Sequence, residues 1–128
     1  MMPHRRRPRT WPAKFRDAFR GVWRAIRSQS SFAVHLLVAA VVVLVAAVLR
    51  VSLIGWCLLV AAIGFVLVAE IFNTAIESLA RRLGPRRHPR IRDALDMASG
   101  GVLLAAITAA VLGVVIFGER AGSLLGWW

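Results

Sequence analysis

Three long apolar runs set the limits on what this chain can fold into. They are Phe32 to Leu49, Leu53 to about Ala80, and Ala94 to Phe117. Each contains a stretch near the ~20 residues with which a helix crosses a bilayer. His35 is the single interruption of the first run, close to its start, and Asp96 lies near the start of the third. With 128 residues, the chain is long enough for one domain and too short for two. The expected fold is all-α and integral to a membrane, with three spans at about residues 32–49, 53–80 and 94–117.

The chain is 59% hydrophobic with a mean hydropathy of +0.68, yet it carries a formal net charge of +11. A small soluble nucleic-acid binder would match the charge but would not need the apolar runs, so no nucleic-acid partner is expected. The basic residues are distributed unevenly. Of 17 Lys and Arg, nine precede the first span and six lie between the second and third, whereas Arg50 and Arg120 stand alone at the opposite ends. By the positive-inside rule the N-terminus and the second loop are cytoplasmic and the C-terminus is outside. The first apolar run begins too late for a cleaved signal peptide, and the chain crosses again afterwards.

Residues 1–12 are rich in Arg and Pro and read as a disordered basic tail attracted to anionic lipid. Phe15, Ala18, Phe19, Val22, Trp23 and Ile26 then repeat at helical spacing, with Lys14, Arg16, Asp17, Arg20, Arg24 and Arg27 on other faces. That pattern predicts an amphipathic surface helix over about 14–27. Ser28, Ser30 and Ser31 offer a turn and an N-cap for the first span. Arg50-Val51-Ser52 is a very short reversal, so the first two spans form an antiparallel hairpin. Gly84 suits the end of the second helix and Pro85 stops its continuation. The third span is expected to begin around Ile91 to Asp93, where Asp93 would favour a helix N-terminus. Gly101, Ala105, Ala109 and Gly113 recur every four residues along it, a stripe that allows close helix packing. The membrane domain is read as residues 13–118, with 119–128 as an outer tail. The lone Cys57 reads as a buried packing thiol.

The polar residues of the second span carry the chemistry. Glu70, Asn73 and Glu77 are offset by 0, 3 and 7 residues, which stacks them on one helix face. Charged groups in a membrane-spanning segment are costly, and mark function by default. Two carboxylates with an amide between them can take a proton and hold a cation. At ~1.5 Å per residue, Glu70 lies about 25 Å from Leu53, near the inner edge of a ~30 Å hydrocarbon core. Asp96, about 32 Å back from Phe117, reaches the same boundary together with Ser99. Four polar groups from two helices are therefore expected to converge where a lipid head group meets the cytosol. No GxxxxGK[ST] phosphate loop, GxGxxG fingerprint or Cys/His cluster occurs.

Glu70-Ile71-Phe72-Asn73-Thr74-Ala75-Ile76-Glu77, followed by Asp96-Met97-Ala98-Ser99, resembles the prokaryotic diacylglycerol kinase and undecaprenol kinase family. The resemblance runs from about Phe15 to Phe117 and includes Gly21-Val22-Trp23-Arg24 and His88-Pro89. Ser31-Phe32-Ala33-Val34-His35 looks more like the undecaprenol kinase branch. The resemblance implies a homotrimer in the inner (cytoplasmic) membrane that transfers the γ-phosphate of ATP to a lipid alcohol, using magnesium. It implies Glu70 as general base, Glu77 as metal ligand, Asp96 in the nucleotide site and Ser99 near the lipid. Asn73 would orient Glu70 or the head group.

Three positions depart from the family pattern. Gln29 replaces a second metal-binding glutamate, Arg81 an aspartate after the signature helix, and Leu95 a lysine before Asp96. Gln29 retains a carbonyl oxygen for magnesium but no charge, so metal affinity should fall. Arg86 or Arg87 of the inner loop would compensate electrostatically for the lysine at the nucleotide phosphates, and His88 of the same loop is a further candidate contact to the nucleotide. These departures motivate a rival reading, a catalytically impaired member that binds lipid or assembles with partners. Plainer roles also stand beside each assignment: a helix-to-helix hydrogen bond for Glu70 or Asn73, an ion pair with Arg81 for Glu77, packing for Ser99. A proton or ion conduit is disfavoured, because nothing polar continues outward through Val60 or Ala61.

Overall fold

The computed structural model describes residues 8–84 and 88–128. Four helices follow one another: α1 (Trp11–Ser28), α2 (Ser30–Val48), α3 (Leu53–Leu83) and α4 (Pro89–Leu124). Among the described residues there is no strand. Helices α2, α3 and α4 are each long and apolar enough to cross a membrane. At ~1.5 Å per residue their 19, 31 and 36 residues correspond to about 29, 46 and 54 Å. The second and third therefore project well beyond a ~30 Å hydrocarbon layer. Most large apolar side chains, such as Val38, Leu44, Val60, Phe65 and Val114, remain exposed on the single chain. That is the surface expected of a protein whose solvent is lipid or another copy of itself.

The chain turns from α1 into α2 at one residue. Gln29 is extended, with φ −134° and ψ 130°, between two helices. Its neighbours Ser28, Ser30 and Ser31 favour local bonds over helix interiors, which makes a corner cheap here. The expected serine N-cap is not formed. Gln29 occupies that position, Ser30 and Ser31 lie in the first turn, and Ser28 Oγ instead donates to the Ala25 carbonyl at 3.2 Å.

The reversal after α2 is a tight Schellman-type cap. Arg50 adopts φ 51°, the amide of Val51 donates to the Ala46 carbonyl at 3.1 Å, and that of Arg50 to Ala47 at 3.2 Å. Ser52 then caps α3 by accepting the Gly55 amide at 3.1 Å. From α4, Arg120 Nε donates to the Leu49 carbonyl at 2.7 Å and ties the third span to this turn. Ala46, Val51, Leu59 and Ile116 form the buried apolar cluster at this end, with Trp56 and Phe117 against it.

Gly84 ends α3 in the left-handed region, its amide bonded to Ala80, as the sequence indicates. Pro85, Arg86 and Arg87 lie outside the described residues. Helix α4 starts at Pro89, earlier than the sequence pattern implies, because proline suits a first helical position. Asp93 consequently sits past the first turn and does not cap it. The helix also runs on through Leu124, well past Phe117. Its most extensive packing is against α3, with Ala105 of the small-residue stripe fully buried between them. Cys57 is exposed rather than buried, so its expected packing role is not the one the fold gives it.

Candidate functional site

The polar site forms where the α1–α2 corner meets α3. Among the described residues Glu70, Asn73 and Thr74 are the buried polar ones, and Glu70 is only 2% exposed. Burying a carboxylate without partners is costly, so its contacts matter. Ser31 Oγ donates to Glu70 Oε1, and His35 Nε2 lies 3.7 Å from Glu70 Oε2. Ser31 and His35 are one helical turn apart on α2, which places both over the same carboxylate. Phe32, buried between them in sequence, packs this part of α2 in place.

About two turns further along α3, Glu77 is held by two amides. Asn73 Nδ2 donates to Glu77 Oε1 at 3.0 Å, and Gln29 Nε2 donates to Glu77 Oε2 at 2.7 Å. The plainer reading of Glu77 as an ion pair with Arg81 is not what the chain adopts; among the described residues no such pair forms. Gln29 thus does two jobs, making the corner with its backbone and anchoring it to α3 with its side chain.

Asn73 Oδ1 is buried without a partner. An orphan carbonyl oxygen beside a carboxylate is an unusual thing to leave in a folded protein. Both Glu77 oxygens accept from amide N–H groups here, and those donors cannot ligate a cation. With the Gln29 amide turned so that its oxygen faces inward, Glu77, Gln29 and Asn73 Oδ1 would fit magnesium arriving with phosphate oxygens, since Mg²⁺ often takes only one or two protein carboxylates. They do not make a self-sufficient metal cage, and among the described residues no cluster of three or more His, Cys, Asp or Glu exists.

Not all the sequence candidates converge. Asp96 and Ser99 are exposed, and among the described residues neither side chain hydrogen-bonds to the Glu70–Glu77 face. His88 is the N-cap residue of α4, exposed and without a side-chain cap bond. Arg86 and Arg87 fall outside the described residues. In the other direction, Ser31 and His35 enter the site from α2, where sequence patterning reads a cap and a lone interruption of an apolar run. The available signal was their four-residue spacing at the start of an otherwise apolar span.

Next to this site an apolar cavity of about 320 Å³ opens between α2, α3 and α4. Val38, Val42, Val66, Ala109 and Gly113 line it, with His35 the polar residue on its wall. A hydrocarbon chain lying there would end beside the histidine that faces Glu70.

Comparison with known proteins is consistent along the whole fold. The family model for prokaryotic diacylglycerol kinase matches residues 16–117. The undecaprenol kinase of Bacillus subtilis is 30% identical over 114 residues, covering 89% of this chain and 93% of that protein. A diacylglycerol kinase of Synechocystis is 35% identical over 100 residues, or 77% of this chain and 57% of its own length. The diacylglycerol kinase of Escherichia coli K12 is 29% identical over 104 residues, covering 78% and 85% of the two chains. No solved structure gives a significant match. The matched region takes in the corner, the buried carboxylate and all three spans, and the chain belongs to the prokaryotic diacylglycerol kinase family, a family of membrane lipid kinases.

Proposed function

We propose that the chain phosphorylates a membrane lipid alcohol, of the diacylglycerol or undecaprenol class, with ATP at the cytoplasmic face of the inner membrane. The observation that carries this reading is Glu70: a buried carboxylate that accepts a hydrogen bond from Ser31, with His35, a residue of the apolar cavity wall, 3.7 Å from its other oxygen. A general base needs a fixed position within reach of the proton it removes. Glu70 accepts the proton of the lipid hydroxyl as that oxygen attacks the γ-phosphate. The lipid tail occupies the apolar side, and Asn73 and Ser99 flank the head group.

Glu77 and the carbonyl of Gln29 would hold Mg²⁺, which offsets the charge of the ATP phosphates. To do so, Gln29 turns its amide over, since its nitrogen now faces Glu77. Asp96, His88, Arg86 and Arg87 contact the nucleotide. That Asp96 and Ser99 stand exposed and unbonded on one chain supports an assembly in which each site is completed by a neighbouring subunit, a homotrimer by the family resemblance. The 15-to-2 division of basic residues supports a cytoplasmic N-terminus.

The Gln29–Glu77 hydrogen bond also favours a second reading, a lipid-binding member with little catalysis, because a neutral amide already occupies the carboxylate. One experiment separates the two. Purified protein is incubated with radiolabelled ATP, magnesium and a panel of lipid alcohols, alongside Glu70→Gln. The kinase reading expects labelled lipid with the wild type and a loss of at least ~10²-fold with Glu70→Gln at unchanged assembly. No labelled lipid and no nucleotide binding would establish the non-catalytic reading instead.

A further inference from the structure

A second groove lies between α1 and α3, on the side of α3 next to the carboxylate face. Its volume is about 690 Å³, and Arg24, Arg27, Thr74, Ser78 and Arg81 contribute its polar wall. No Asp or Glu lines it. Among the described residues none of the three arginines is in an ion pair. Arg81 has the helical spacing to pair with Glu77, but Glu77 is taken by Gln29 and Asn73. Three arginines therefore line one groove without a counter-charge from the protein, the Arg27 guanidinium lying over the Trp23 ring at 5.5 Å.

Thr74 supplies the independent observation. It is only 7% exposed, and its Oγ1 is buried with no hydrogen-bond partner. A helical threonine ordinarily satisfies itself by bonding back one turn, as Thr108 Oγ1 does to the Leu104 carbonyl at 2.9 Å. Thr74 does not. A buried hydroxyl left unpaired in the wall of a basic groove lacks a partner that a bound anion would provide.

The depth fits an anion as well. Counting from Leu53 at ~1.5 Å per residue, Thr74 and Arg81 lie about 32 and 42 Å along α3, beyond a ~30 Å hydrocarbon core. We propose that this groove is a phosphate-binding site, distinct from the Glu70–Glu77 face, in which Arg24, Arg27 and Arg81 neutralise a phosphate ester and Thr74 and Ser78 donate to its oxygens. Guanidinium forks match phosphate oxygens in geometry as well as charge. The site does not depend on the chain being an active kinase. Its phosphate comes from an anionic lipid head group or from a nucleotide.

The test uses full-length protein in nanodiscs of phosphatidylcholine alone or with phosphatidylglycerol, and scores retained lipid by native mass spectrometry. Separate arms titrate ATP and inorganic phosphate, read by Trp23 fluorescence. Saturable retention of phosphatidylglycerol identifies a head-group site; ATP is also proposed at the Glu77 face, so ATP binding assigns a nucleotide to this groove only where the arginine variants weaken it while Glu77→Gln does not. In either case the Arg24→Gln, Arg81→Gln pair should weaken binding at least about tenfold, and Arg81→Lys should restore part of it. Thr74→Val gives the sharper control. It removes an unsatisfied hydroxyl at constant shape, so thermal stability without ligand should stay level or rise while phosphate affinity falls several-fold. Wild-type affinity in the double variant for all three probes, or no saturable binding of any of them to the wild type, would overturn the proposal.

Discussion

At its hairpin end the bundle is closed by Ala46, Val51, Leu59 and Ile116, packed under a reversal of a few residues. At the α1 end the same helices bury Glu70, Asn73 and Thr74 and leave two of their polar atoms without partners. The first arrangement is what apolar burial alone would select. Its hydrogen bonds belong to the backbone turn and its cap, and Arg120 completes it by bonding the Leu49 carbonyl. The second costs stability, since each unsatisfied buried group forfeits about 1–3 kcal/mol. A protein that keeps both in one helical bundle holds its site rigidly with one end and leaves unmet bonding capacity at the other. This is the usual division between a scaffold and a binding site.

Four variants probe that division, in decreasing order of expected effect. Removing both α2 groups that face the carboxylate, as Ser31→Ala with His35→Ala, should lower lipid-kinase turnover about 10²-fold by freeing Glu70. Since neither group is assigned to the nucleotide, KM for ATP should stay where it is. Steady-state kinetics with both substrates varied checks the split, and unaltered turnover would break the assignment of the α1 end as the site.

Gly55→Ala tests the other end. A Cβ there would overlap Val51 Cγ1, in a turn that has little room to give. Overpacking of this kind costs about 1–3 kcal/mol. The thermal midpoint in detergent, followed by circular dichroism, should fall while the specific activity of protein that remains folded is retained. An equal loss of activity would show that the two ends are not separable.

Gln29→Glu should have a smaller effect that depends on magnesium. It replaces the 2.7 Å hydrogen bond to Glu77 with two facing carboxylates. Without metal the variant should be less stable than the wild type by about 1–2 kcal/mol. Magnesium should recover that loss, and the concentration giving half-maximal activity should drop several-fold. Thermal melts with and without Mg²⁺, beside a magnesium titration of activity, decide it. An indifferent melt would remove Gln29 and Glu77 from the metal site.

The smallest change expected is a gain. Arg50 holds φ 51° as a non-glycine residue, which costs about 1–2 kcal/mol in the left-handed region. Arg50→Gly relieves that cost but loosens the unfolded chain, so the net gain should be under about 1 kcal/mol. Equilibrium unfolding in a mild detergent and denaturant series would measure it, with activity unaltered.

Much of this was legible in residues read in order. The apolar runs specified the spans, Arg50-Val51-Ser52 the hairpin, and the 0, 3, 7 spacing placed Glu70, Asn73 and Glu77 on one face. Each of those is a property of a single helix or a single turn, where sequence distance and spatial distance are tied by 1.5 Å of rise and 3.6 residues per turn. The α1–α2 corner was partly legible: the serines announced a break, but not that Gln29 would make it.

What lies across from the acidic face was decided by the tertiary structure. Ser31 and His35 reach Glu70, and Gln29 reaches Glu77, only because α2 meets α3 at one particular height and rotation. Asp96 and Ser99 sit at the matching depth on α4, yet they stay exposed on the single chain. Depth in a bilayer follows from counting residues, whereas rotation about a helix axis is set by which side chains interlock with the neighbouring helix. The sequence by itself therefore determined the membrane architecture and the acidic stripe of α3. The packing of α2 and α1 against α3 determined which groups hold those acids and where the unpaired arginines gather, because contacts between helices depend on their mutual rotation rather than on spacing along either one.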